Sequence, residues 1–115
     1  MISAQFIYAQ DRSNEDRAKS LTERMKQNLS LKDDQYEKAY TINLAFVNKA
    51  TQVKESSGGR LGKARKLKDA DGERDKMMKG VLTEEQYKKY KEQKSENRKE
   101  MKKRYNERKE GWFDD

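Results

Sequence analysis

An all-α fold of four long helices is what the sequence predicts, and three observations carry that reading. No proline occurs and only six glycines interrupt 115 residues, so helix breakers are missing over most of the length. Apolar side chains recur at spacings of three and four, the period of a helix with one buried face. The third is a local signature, Leu82-Thr83-Glu84-Glu85-Gln86-Tyr87. With Thr83 as N-cap, its hydroxyl accepts from the Gln86 N–H while the Gln86 side chain reaches back to the Thr83 N–H. Leu82 and Tyr87 then close as a hydrophobic staple, and Glu84 and Glu85 face the positive end of the helix dipole. A copy stands 51 residues upstream, Leu31-Lys32-Asp33-Asp34-Gln35-Tyr36, in which leucine, two acids, glutamine and tyrosine recur in order and only the cap differs in kind.

The first helix begins after Ser13, an N-cap with Asp16 three residues on, and sets Ala18, Leu21, Met25 and Leu29 on one face. No Gly or Pro marks its end between Asn28 and Leu31, and Ser30 is placed to supply the next cap that Lys32 cannot. The second helix, residues 32–55, is the most apolar: Ala39, Ile42, Phe46, Ala50 and Val53 form one stripe, and Tyr36, Tyr40, Leu44 and Val47 another. Two faces that want cover make it the central helix. Ser56-Ser57-Gly58-Gly59 is the linker. A third helix over 60–79 carries Leu61, Ala64, Leu67, Met77 and Met78, with a weak point at Gly72 and a stop at Gly80. The fourth covers 84–110, where Tyr87, Tyr90, Met101 and Tyr105 share a side that Lys94 and Asn97 interrupt.

Domain organisation follows. Residues 13–110 form one helical domain in two hairpin-like halves joined near 56–60, and residues 111–115 form a C-terminal tail containing Trp112 and Phe113. Residues 1–12 are either the remnant of a trimmed export signal or a flexible terminus, being uncharged as far as Gln10 but without a basic start.

Composition bounds the core. Apolar residues make up 31% of the chain and charged ones 43%, against about 45–50% and 25% in ordinary globular domains, so a thick core is out of reach. What remains is an elongated helical assembly, a dimer completing its core across an interface, or partial disorder. Net charge is +7, and its excess falls almost wholly after residue 59, which favours acidic partners. With neither cysteine nor histidine, Ser-His-Asp, Cys-His and zinc-activated-water chemistry are excluded, and no phosphate-binding glycine loop is present. No enzyme activity, metal or cofactor is expected. Asp69-Ala70-Asp71-Gly72 imitates part of a calcium loop, but Leu67 and Met78 would fill its first and twelfth positions without side-chain oxygen.

The candidate binding surface is the basic run Arg60, Leu61, Lys63, Arg65, Lys66, Leu67 and Lys68, extended by Met77 and Met78. Its bland reading is a solvated cationic face. Its sharper reading is an adaptable surface, because long basic stems and methionines repack against many partners. Nucleic acid would use the same cations, yet tyrosines at helical spacing mark packing more often than base stacking, and no specific nucleic acid is expected.

Two Leu-[Thr]-x-x-Gln boxes one hairpin apart, in a small, basic, helical chain, resemble the LTxxQ-motif periplasmic proteins of the Spy/CpxP type. Leu82-Thr83-Glu84-Glu85-Gln86 fits the motif in full, whereas Leu31-Lys32-Asp33-Asp34-Gln35 has lysine in place of threonine. The resemblance implies a cradle of long bent hairpins, an antiparallel homodimer, periplasmic residence, and ATP-independent chaperoning of unfolded polypeptides. In some members it also implies regulation of envelope stress signalling through a membrane sensor. By the same resemblance Leu31, Gln35, Leu82 and Gln86 are structural, and the capping and staple pattern gives Tyr36, Thr83 and Tyr87 structural places beside them. The alternative from another class is a helical adaptor that binds one partner or itself without general chaperoning.

Overall fold

The computed structural model describes residues 13–113, with side chains to residue 108. Four helices follow in order: α1 (Asn14–Leu29), α2 (Asp33–Glu55), α3 (Arg60–Val81) and α4 (Glu84–Phe113). No strand occurs among the described residues, so the all-α expectation is met. The readings made for residues 1–12 and for the side chains of Trp112 and Phe113 lie outside what is described. No described helix is long and apolar enough to cross a membrane.

Ser13 caps α1 as expected, its Oγ accepting from the Asp16 N–H at 3.1 Å. α2 is central: α1 packs along one side of it and α3 along the other. Both neighbours run antiparallel to α2. On the α1 side Asn14 pairs with Asn48, Thr22 with Asn43, and Glu23 with Tyr36. On the α3 side the Arg74 guanidinium lies 4.1 Å over the Phe46 ring. The radius of gyration is 16.7 Å, against about 13 Å for a compact 100-residue domain, as a thin core requires.

The core gathers at one end, where the α1–α2 and α3–α4 turns meet. Met25, Leu29, Leu31, Ala39, Met78, Leu82 and Tyr90 form it, with Ile42 and Tyr87 packed against them. Both box leucines are therefore buried, each at a helix start, and burying a leucine contributes about 1.5–3 kcal/mol.

Three boundaries differ from expectation. Ser30 does not cap α2; it ends α1 in the left-handed region at φ 54°, and Lys32 precedes α2 without a side-chain bond to the helix. Gly80 does not stop α3, which runs to Val81 before Leu82 turns the chain with its N–H on the Met78 carbonyl at 2.9 Å. Burial of the Leu82 side chain places the turn there, and Gly80 needs no left-handed conformation. α3 also runs unbroken through Gly72, and α4 continues to Phe113. At the 56–59 turn glycine is needed only at Gly58, whose φ is +131°.

Candidate interaction surface

At the meeting of the two turns the box glutamines bond to each other. Gln35 Nε2 donates to Gln86 Oε1 at 2.8 Å, and Gln86 Nε2 donates to Gln35 Oε1 at 3.3 Å. Each Oε1 also accepts from its own cap: Lys32 N–H to Gln35 at 3.0 Å, Thr83 N–H to Gln86 at 2.9 Å. Each Nε2 donates a second bond to the last carbonyl of the helix leading into the other box. Gln35 takes Val81 O and Gln86 takes Leu29 O, both at 3.1 Å. The arrangement is a local two-fold in which each amide closes its own helix and the opposite turn. Only a side chain with two donors and an acceptor at this length does both, which glutamate and leucine cannot. The Thr83 hydroxyl completes the second box by accepting from the Gln86 N–H at 3.2 Å; Lys32 has no acceptor, so the first box lacks that bond.

The box tyrosines part company. Tyr87 packs on the core, whereas Tyr36 reaches α1, its hydroxyl donating to Glu23 at 2.8 Å with Lys26 5.6 Å from the ring. The bond to Glu23, then burial, raises the Tyr36 pKa.

Of the expected binding residues on α3, Arg60, Leu61, Arg65, Lys66, Leu67, Lys68 and Met77 are exposed, Leu61 at 69% and Met77 at 53%. Lys63 is half-buried and donates to the Lys54 carbonyl at 3.0 Å, closing the 56–59 turn. Met78 departs from expectation. It is 0% exposed and belongs to the core, because one residue of helix turns a side chain by about 100° and only Met78 falls in line with Ala70, Arg74 and Val81 toward α2. The same geometry spreads Lys63, Arg65, Lys66 and Lys68 around the helix rather than along one face. Met77 instead borders a groove between α2 and α3 with Ile42, Phe46 and Lys49.

α4 is fastened to α3 by long polar side chains. Lys94 Nζ reaches Asp71 at 2.5 Å and Asp75 at 2.6 Å, Lys91 reaches Asp75 at 2.9 Å, and the Tyr90 hydroxyl donates to Asp75 at 2.9 Å. Arg74 holds Asp71 from within α3 at 2.6 Å. Burial pushes the Asp75 carboxyl up, but the bonds from Lys94, Lys91 and Tyr90 outweigh it and hold its pKa below the ordinary value. Burial above all, with Asp75 adding to it against Arg74, pushes the Tyr90 phenol up. A carboxyl depressed in the folded state stabilises above its unfolded pKa and stops doing so as pH falls through its folded one. Urea unfolding followed by circular dichroism should show full stability at about pH 5 and a decline below about pH 4. Asp75→Asn should flatten that decline, and an unchanged slope would remove Asp75 from the account.

Sequence reasoning missed two buried polar residues, Thr22 and Asn43, both 0% exposed. Asn43 Nδ2 donates to Thr22 Oγ1 at 3.0 Å, while the Thr22 hydroxyl donates to the Ala18 carbonyl at 2.7 Å. Asn43 Oδ1 is buried with no protein donor. The signal was the spacing Ala39, Asn43, Val47, a single stripe with an amide in its middle. Asn43 lines a cavity of about 160 Å³ roofed by α4, with Arg24, Met25, Arg74, Tyr90 and Lys94 in its wall.

The model of a family described as "Domain of unknown function" (DUF4890) matches residues 4–90, ending where α4 leaves the core. No curated protein and no solved structure matches the chain.

Proposed function

We propose a function for this chain, which belongs to the DUF4890 family of domains of unknown function, from the surface that its folded helices leave open. It acts as an ATP-independent periplasmic chaperone or envelope-stress protein, a homodimer that holds unfolded acidic polypeptides on a basic, Leu- and Met-containing helical surface. The observation that carries this reading is α3. Its first half stands clear of the core, with Arg60, Leu61, Arg65, Lys66, Leu67 and Lys68 all exposed around the helix. Cations spread on all sides attract acidic segments at long range without demanding one approach, and Leu61, Leu67 and Met77 add weak apolar contacts that a folding client outcompetes. No energy source is needed, since release follows client folding. The likeness of the boxes to the LTxxQ proteins supports the periplasmic assignment. The paired glutamines support a structural role for the boxes, separate from client contact.

Reversing Lys63, Arg65, Lys66 and Lys68 to glutamate should slow client capture about tenfold and flatten its salt dependence. The measurement is light scattering of several unrelated aggregating clients at low and high salt. Suppression untouched by the reversal contradicts the electrostatic mechanism, and protection of no client at all favours the helical adaptor.

A further inference from the structure

Beyond Lys94, no described side chain of α4 bonds to another helix, and residues 95–108 are exposed throughout. Their charges are nonetheless sorted. Arg98, Met101, Lys102, Tyr105 and Arg108 follow the three- and four-residue steps of one helical face. Glu96, Glu100 and Glu107 fall on the opposite face, with Lys103 beside them and Lys99 and Arg104 at its two margins, so that no described carboxylate beyond Lys94 lies on the first face. The first face therefore presents two large apolar side chains, Met101 at 71% and Tyr105 at 65% exposure, between three cations. Its flank is nearly free of internal pairing, Arg104 and Glu100 meeting only at 4.0 Å.

We propose that this face of α4 docks an acidic amphipathic helix of another protein. Charge complementarity selects the occupant. A second copy meeting the same face in a two-fold dimer would set Arg98, Lys102 and Arg108 against themselves, and a copy offering its glutamate face would build an open chain rather than a closed pair. Residues 1–10 of this chain carry no charge and cannot match the cations. A lipid surface asks for a broader apolar face than one methionine and one tyrosine provide. A partner helix with Leu or Met at the three- and four-residue steps, flanked by glutamates, covers Met101 and Tyr105 and pairs with all three cations. This docking is independent of client holding on α3 and goes beyond it.

The test uses the full chain and a fluorescent helical peptide of about three heptads, with a leucine stripe flanked by glutamates. Anisotropy should show salt-sensitive binding, weakened about tenfold or more by Arg98→Glu, Lys102→Glu and Arg108→Glu together, and also weakened by Met101→Ala with Tyr105→Ala. All five positions are exposed, so unchanged circular dichroism is expected for both variants. A peptide with lysines replacing its glutamates should not bind. No binding of the acidic peptide, or equal binding by the charge-reversed variant, overturns the proposal. So does tighter binding of phosphatidylglycerol vesicles or duplex DNA that the peptide cannot displace.

Discussion

Met78→Ala should lower stability by about 3 kcal/mol, in the range for emptying a fully buried large side chain, and lower Tm by about 10–20 °C. Met78 is fully buried, within a core of seven residues plus two packed on its edge, so few neighbours are available to collapse into the space. Met77→Ala, at 53% exposure, should change stability by less than about 0.5 kcal/mol. The two variants together separate a packing role from a surface role within one dipeptide. Thermal unfolding followed at 222 nm reads both, and equal losses for the two would contradict the phase assigned to α3.

Gln86→Ala should cost about 2 kcal/mol. The substitution removes the reciprocal cap on Thr83, leaves the Leu29 carbonyl without its donor, and strands part of the Gln35 amide. Partial exposure of the site lets water recover some of this, which keeps the estimate below the sum of the bonds. Gln86→Glu should cost about as much although it is nearly isosteric. It keeps the acceptor for Thr83 but donates to neither Leu29 nor Gln35. Thr83→Ala should cost less, about 1 kcal/mol, since it removes one exposed cap bond.

The helices, the linker and the capping of α4 were legible because each is specified within a few residues of chain. Tertiary partners were not. The repeat of the boxes was visible 51 residues apart, but local spacing describes only the bond from each glutamine to its own cap. That the amides face each other goes with Leu31 and Leu82 being buried in one core, which no periodicity states. Met78 was misplaced because Lys63 and Arg74 share its buried stripe, blurring the apolar signal that sets helical phase. Thr22 and Asn43 were passed over because an apolar template skips polar residues that satisfy each other across a helix pair. On α4, Lys94 breaks the tyrosine stripe in sequence, yet it occupies the core-facing position because its stem reaches two aspartates on α3. The sorting of charge beyond it becomes meaningful only once residues 98–108 are seen to be exposed throughout and bonded to no other helix.

The most direct measurement is a double-mutant cycle on Gln35 and Gln86, using Gln35→Ala, Gln86→Ala and the pair, with free energies from urea unfolding. A hairpin pair closed through mutual amide bonds predicts a coupling of about 1–2 kcal/mol, the double variant losing well short of the summed single losses. Losses that add to within about 0.3–0.5 kcal/mol would mean that each glutamine serves only its own helix and that the two turns are not joined through them.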